Sequence, residues 1–375
     1  MRKISLLVPD LPNAEELRPY LERIDAARVY TNFGPLVLEL EAKLKAHFRA
    51  AAALHLTTVA NCTVGLELAL WALLLRPRAR VLIPAITFVA TAAAVVRAGY
   101  EPVLSDVDER TWLLTPEIAR RAIARIPVDA VMPVSTYGCP QDTGAWDDFS
   151  RATGVPVVID AAGAFGNQQA GERSTLVFSL HATKVLSGAE GGFVVSADAA
   201  LIARVRRMSN FGIEFSSGIV DVPGTNAKLS EYHAAIVLAM LERLQAHAGR
   251  RVELHRRYLQ SLAAAGARVT LQQRPAEGMY SILPVLLPAA ATAQAVAQAL
   301  SRDGIETRRW YCPAIHHHPG FAGAAVAGAL DIVNALSDRL LALPFHPLLL
   351  PEDIEFVCTR LNAALAGIES SHLKI

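Results

Sequence analysis

The sequence predicts an α/β protein with a large, mostly parallel sheet domain and a smaller α+β domain after it. Three observations carry that expectation. Between about residues 64 and 200, short apolar runs of strand length alternate with helix-length segments. That alternation marks parallel strands buried on both faces. After about residue 200 it gives way to longer helical stretches. Finally, 375 residues exceed what one hydrophobic core ordinarily fills. The boundary is expected near residue 250, giving a large domain over 1–250 and a small one over 251–375.

The elements follow in order. Leu66, Leu70 and Leu73 recur at spacings of four and three, which predicts a helix over Val64–Leu75. Arg80–Pro84 is a short strand that its proline ends. Phe88–Ala98 reads as a helix and Pro102–Asp106 as a strand. Pro116–Ile126 is an amphipathic helix with proline just inside its start, where the missing N–H costs nothing. Ala130–Val134, Pro156–Ile159, Thr175–Leu180 and Gly192–Ser196 are apolar strand candidates. In the second part, Lys228–Leu244, Val252–Ala264, Thr292–Ser301 and Pro351–Ala366 read as helices and Tyr280–Leu287 as a strand.

Composition excludes several classes. With 52% hydrophobic residues and a net charge of +1, the chain is neither disordered nor a nucleic-acid binder that works by bulk charge. Cys62, Cys139, Cys312 and Cys358 are widely spaced, with no CxxC pair. That favours reduced thiols in a cytoplasmic protein over a zinc ribbon or disulfide scaffold. The apolar run Leu6–Val8 is too short for a signal peptide, and no run of about 20 apolar residues suggests a membrane span.

Three segments carry chemistry. Pro156–Asp160 ends an apolar strand on a carboxylate, at the sheet edge where ligands bind in α/β proteins. Capping of the next helix is the alternative role for Asp160. Phe178-Ser-Leu-His-Ala-Thr-Lys184 leaves another apolar strand and runs into Ser187-Gly-Ala-Glu-Gly-Gly192. A lysine on the inner rim of a sheet is costly to bury as an ammonium, and a Schiff base with a carbonyl cofactor changes that problem. An exposed loop lysine is the other reading. Asn61-Cys-Thr-Val-Gly65 stands before a helix, where N–H groups and the dipole can receive a phosphate or where Asn61 or Thr63 simply caps. A phosphate cradle, a strand-end Asp and a strand-end Lys 24 residues later are together the parts that pyridoxal phosphate needs.

These segments resemble the DegT/StrS family of fold-type-I pyridoxal-phosphate aminotransferases, and the likeness covers nearly the whole chain. It is carried by Tyr30-Thr-Asn-Phe-Gly-Pro35, Asn61–Gly65, Pro84-Ala-Ile-Thr-Phe-Val-Ala-Thr91, Ile159-Asp-Ala-Ala-Gly-Ala164 and Ser179–Lys184 with Glu190-Gly-Gly192. Asn210-Phe-Gly212, Gly224-Thr-Asn226, Arg309-Trp-Tyr-Cys-Pro313 and Leu343-Pro-Phe-His-Pro347 also fit.

The resemblance implies that Lys184 forms the Schiff base and moves protons, and that Asp160 pairs with the pyridine nitrogen. It implies that Phe88 stacks on the ring, and that Thr63, the Val64 N–H and Ser179 hold the phosphate. Asn226 would reach the phosphate of a partner subunit in a homodimer with shared sites. Asn210, Arg309, Tyr311 and His317, within Asn210–Phe215, Arg308–Tyr311 and His316–His318, are candidates for the acceptor pocket. His181 is either a supporting group of the site or a packing residue.

Gly163 is a departure: the family usually has Gln there, in contact with the cofactor's phenolic oxygen. Cys62 stands where Gly is usual. No metal is expected at His316-His317-His318, because adjacent side chains of an extended chain diverge. The absence of G-x-G-x-x-G after a strand counts against a dinucleotide-binding protein.

The expected function is amino transfer from an amino acid, glutamate by resemblance, to a nucleotide-linked 4-keto-6-deoxy sugar. The alternatives are the same chemistry on a cyclitol or carrier-tethered acceptor, or a non-catalytic pyridoxal-phosphate sensor.

Overall fold

The computed structural model describes residues 3–48, 53–214 and 216–372. Its strands are β1 (His55–Val59), β2 (Arg80–Pro84), β3 (Glu101–Ser105), β4 (Ala130–Val131), β5 (Val158–Asp160), β6 (Thr175–Ser179), β7 (Gly192–Ser196), β8 (Thr270–Leu271), β9 (Leu283–Leu286), β10 (Ala325–Val326) and β11 (Leu340–Leu343). One set runs β1-β7-β6-β5 and another β10-β3-β2-β4. Parallel bridges Val131↔Val157 and Val134↔Asp160 join the β4 and β5 edges, so the two sets continue into one layer. Its pairs are parallel except where β7 runs against β1 and β6. The mostly parallel α/β sheet that the alternation predicts is present.

Strand side chains alternate between two cores, one on each face of the layer. Val81, Ile83, Val177 and Val194 join Leu66 and Leu70 on one face. Leu82, Leu176, Phe178, Phe193 and Val195 join Leu36, Leu40, Trp146 and Phe149 on the other. Burial on both faces is why these strands read as continuous apolar runs. The helix Cys62–Ala72 is apolar almost all round because it is buried almost all round.

The second part differs from expectation in one respect that matters for the site. A single helix, Glu231–Ala264, replaces the two expected helices. Gly249 lies inside it, a cost of about 1 kcal/mol relative to alanine that packing overrides. Ala234 and Leu238 pack beneath the large sheet, while Leu254, Tyr258 and Leu262 belong to a third core. Position 250 therefore falls within one helix that ties both cores together.

The third core is built on the antiparallel sheet β11-β9-β8 and on helices Ala293–Arg302 and Pro351–His372. The chain crosses between the units twice more. Ile4 bridges to Ile305 and joins the third core, and β10 adds to the edge of the large sheet beside β3. The expected strands Ala130–Val134 and Tyr280–Leu287 shorten to β4 and β9. Among the described residues, no helix is long and apolar enough to cross a membrane.

Candidate active site

The carboxyl ends of β5 and β6 bring the strand-end Asp and Lys together. Asp160 ends β5 and is 4% exposed. Thr91 donates its hydroxyl to one carboxylate oxygen at 2.7 Å, and the Ala162 N–H donates to the other at 3.1 Å. Thr91 sits in the first turn of helix Val89–Arg97, with the Thr87 hydroxyl 2.8 Å away. Burial pushes the Asp160 carboxyl above its ordinary value, against the Thr91 and Ala162 hydrogen bonds and the Lys184 charge.

Lys184 lies in the turn after β6, its N–H donating to the His181 carbonyl at 2.9 Å. Burial pulls its ammonium below the ordinary lysine value, opposed by Cys62 and Asp160. The Cys62 thiol is pushed well up, by burial first and then by Asp160, with Lys184 opposing. Asp160, Lys184 and Cys62 thus lie within electrostatic reach of one another. The Cys62 proximity was not legible from sequence, where Cys62 reads only as a turn variant.

The phosphate cradle is partly as expected. The Asn61 side chain accepts the Val64 N–H at 2.9 Å, so that N–H caps its own helix. The Thr63 hydroxyl has no hydrogen-bond partner among the described residues, and the Ser179 hydroxyl accepts the His181 N–H at 3.2 Å. Gly192 lets β7 pass the start of this helix. A Cβ there would lie 2.8 Å from both the Cys62 nitrogen and the Phe178 oxygen.

An aromatic wall closes one side. Phe88 caps helix Val89–Arg97 and is 54% exposed, a large bare ring at the edge of a buried carboxylate's surroundings. Tyr311 lies 5.8 Å from it, centroid to centroid, and stacks on Tyr137 at 5.1 Å and 6°. The Tyr137 hydroxyl donates to the Trp310 carbonyl and accepts the Tyr311 N–H. Burial, and after it the Asp160 charge, raises the Tyr311 phenol, which places Tyr311 near the Asp160 end of the site. Thr91 and Tyr137 are the positioning residues that sequence reasoning missed. Thr91 closes the motif Pro84–Thr91 that carries the resemblance, and that was the available signal for one of them.

The remaining candidates are more scattered. Gly163 packs near Gly138. Asn210 is buried and bridges antiparallel to Asn226, whose exposed side chain accepts from Lys228 at 2.7 Å. Ala60 donates its N–H to Ala227 at 2.7 Å, so this segment runs beside the helix start at Asn61. Arg309 donates to the Ser337 carbonyl at 3.0 Å and faces Asp338 at 3.6 Å. His317 is exposed beside His316, which meets Asn334, while His318 meets the Pro313 carbonyl. His181 is 47% exposed and turns toward Thr183 and Glu190. Phe215 lies outside the described residues.

The model of the DegT/DnrJ/EryC1/StrS aminotransferase family matches residues 12–362. The chain belongs to that family. As a member it is an aminotransferase, and the relatives agree. It is 31% identical to a dTDP-4-amino-4,6-dideoxy-D-glucose transaminase of Shigella dysenteriae over 96% of this chain and 99% of that one. Identity to the Escherichia coli transaminase of the same name is 29%, over 92% and 94%. The crystal structure of DesI in the presence of its TDP-sugar product superposes with a TM-score of 0.88 at 29% identity, covering 100% of this chain and 96% of that one.

The donor set fits pyridoxal phosphate on its own terms. A buried carboxylate lacks a full cationic partner, an amine is pulled toward neutrality, a bare ring stands beside them, and a helix start with a free hydroxyl completes the set.

Proposed function

We propose that this aminotransferase uses pyridoxal 5′-phosphate, held through a Schiff base on Lys184, to move the amino group of glutamate to a nucleotide-linked 4-keto-6-deoxy sugar. The observation that carries the reading is the placement of a buried Asp160 at the end of β5 and a half-buried Lys184 in the turn after the adjacent parallel β6, within electrostatic reach of each other and each shifted toward neutrality. When bound, the cofactor supplies the electron sink for breaking the bond at the amino acid's α-carbon.

Asp160, fixed by Thr91 and Ala162, would hold the proton on the ring nitrogen. Lys184, with its ammonium disfavoured by burial, would take a proton from the donor's α-carbon and return it. Phe88 would cover a ring face. Thr63 and Ser179 would hold the phosphate, with Asn226 reaching across to a partner subunit's phosphate in a homodimer. Tyr311, Asn210, Arg309 and His317 are assigned to the acceptor side.

The acceptor class follows the relatives that act on dTDP-sugars. The test is to load the amino group from glutamate, remove the donor, and offer a panel of keto-sugar nucleotides. Return of the original cofactor absorbance with a 4-keto-6-deoxy sugar nucleotide is expected. Return only with acceptors lacking a nucleotide would refute the acceptor. Borohydride reduction should fix the cofactor on Lys184, and labelling at Lys228 instead would refute that assignment.

A further inference from the structure

One short segment carries both a bare ring and two buried hydroxyls. Phe88 stands at the start of helix Val89–Arg97 with its ring exposed. Thr87 and Thr91 flank it and are buried at 2% and 0% exposure. Their hydroxyl oxygens lie 2.8 Å apart, and the Thr91 hydroxyl reaches Asp160 at 2.7 Å. The direction of these bonds follows from the chemistry of the groups. An ionised carboxylate only accepts. The Thr91 proton then points to Asp160, and the Thr91 oxygen is left to accept from Thr87. Among the described residues Thr87 makes no other side-chain hydrogen bond, so this direction uses its proton. A protonated Asp160 would instead donate to Thr91, and the order would reverse. The reversed order strands the Thr87 proton in a buried place, where an unmade bond costs free energy. The hydroxyl pair thus favours the charged state of Asp160.

We infer that Thr87 is a positioning residue for amino transfer: it turns the Thr91 hydroxyl toward Asp160 and so keeps that carboxylate charged and aimed for the cofactor's ring nitrogen. The ring's part rests on the pyridoxal-phosphate reading, whereas the hydroxyl arrangement stands in the protein without a ligand. Thr87 bonds to Thr91 and reaches Asp160 only through it. The second Asp160 oxygen accepts the Ala162 N–H at 3.1 Å. Two of the roughly four acceptor positions of the carboxylate are then filled, and the others remain for a donor that a ligand brings. The other ionisable groups near Asp160 are Lys184, Cys62 and Tyr311, each on a different segment. Burial raises the Asp160 carboxyl, and Thr91 opposes that rise ahead of Ala162 and Lys184. Hydrogen bonds to a charged acceptor are about twice as strong as neutral ones, so the hydroxyl pair stabilises the carboxylate more than the acid. The competing reading is that the two threonines only satisfy each other inside the core.

The test titrates the Asp160 carboxyl in the cofactor-free protein by carboxyl-carbon NMR of labelled aspartate, the signal being assigned by its loss in Asp160→Asn. Thr91→Val removes the donor and should raise the Asp160 midpoint by about one pH unit. Thr87→Val should raise it by about 0.3 pH unit, since neighbouring hydrogen bonds strengthen one another by about 10–30%. Thr87→Ser keeps the hydroxyl and should hold the wild-type midpoint. In the Thr91→Val background, Thr87→Val should add nothing, because its path to Asp160 is gone. An unchanged midpoint in Thr87→Val, or an equal rise with and without Thr91, would overturn the inference and leave Thr87 to packing. In the loaded enzyme Asp160 serves both half-reactions. Thr87→Val should therefore slow both by a common factor of about two, with neither KM changed. A loss confined to one half-reaction would also overturn the inference. If Thr87→Val does not fold, Thr87→Ala removes the same hydroxyl and is read in its place. If no cofactor binds the wild type, the functional reading fails, and the carboxyl midpoints still decide the hydroxyl pair.

Discussion

Gly163→Gln tests whether this glycine is required by the backbone or only leaves room at the site. Its φ is not in the left-handed region, and a Cβ would meet nothing closer than the Gly138 nitrogen at 3.5 Å and Cα at 3.8 Å. Those are ordinary contacts. Replacing a glycine whose conformation suits other residues stabilises by about 0.4–1 kcal/mol through the unfolded chain. Ordering a Gln side chain costs up to about 2 kcal/mol. The net change should therefore lie between a gain of about 1 kcal/mol and a loss of about 1.6 kcal/mol. Gly138 faces it and is the control. Its φ is +85°, and a Cβ there would lie 2.8 Å from the Gly163 oxygen. Left-handed strain of about 1–2 kcal/mol and overpacking of about 1–3 kcal/mol predict a loss of several kcal/mol for Gly138→Ala. Urea unfolding of the cofactor-free proteins measures both, with equal m values as the check on a common unfolded state. If position 163 faces the ring's oxygen, as the resemblance implies, the loaded Gly163→Gln protein should also show a shifted cofactor absorbance. A stability loss in Gly163→Gln as large as that in Gly138→Ala would refute the reasoning and make Gly163 a steric requirement.

Three further outcomes are expected. Asp160→Asn should fold but lose most activity, since a neutral amide no longer favours a protonated ring nitrogen; near-wild-type turnover would remove Asp160 from the site. The native Asp160 pKa is raised above its unfolded value, so cofactor-free stability should fall as pH rises from the ordinary carboxylate value through the raised one, and stay reduced above it. Asp160→Asn should lack that fall in urea titrations at several pH values, and an identical pH curve would contradict the assignment. Mixing Lys184→Ala with Asn226→Ala subunits should raise activity if sites are shared. No change, with subunit exchange confirmed and each parent impaired, would confine Asn226 to its own chain.

The central sheet was legible because each strand is buried on both faces, which leaves a continuous apolar run. β6 and β7 read correctly for that reason. Strand ends were less legible. Ala130–Val134 looks like one strand, yet the regular ladder stops at Val131 and only an isolated bridge resumes at Val134, because Pro133 cannot donate to a ladder. Lys228–Leu244 and Val252–Ala264 read as two helices, and packing at both ends of Glu231–Ala264 holds them as one through Gly249. At the site, neither Asp160 nor Lys184 stood out singly, since a strand-end Asp also caps helices and a lysine also sits in loops, and it was their spacing together with the helix start at Asn61–Gly65 that singled them out. Thr91 and Tyr137 were hidden because hydroxyls join helix starts and cores for many reasons.

The electrostatics of the site and its packing argue in the same direction. Asp160 and Lys184 are each driven toward neutrality by burial, and each opposes the other's shift. A protein selected for stability alone would gain by replacing both with apolar residues, because desolvating ionisable groups without a close ionic partner is costly. Yet the surrounding structure fixes them. Thr91 and Ala162 hold the carboxylate, and Gly192 admits the start of helix Cys62–Ala72 at backbone contact with β7. Two cores sandwich the strands whose ends carry the pair, and that support comes from contacts remote from the charges. The cost of the two charges is thus local, while the stability that offsets it is spread over the sheet. A ligand that brings a ring N–H to Asp160 and converts the Lys184 amine removes the local cost at both ends at once. Cofactor binding should accordingly stabilise the folded chain beyond what its direct contacts supply, in proportion to its preference for the native state.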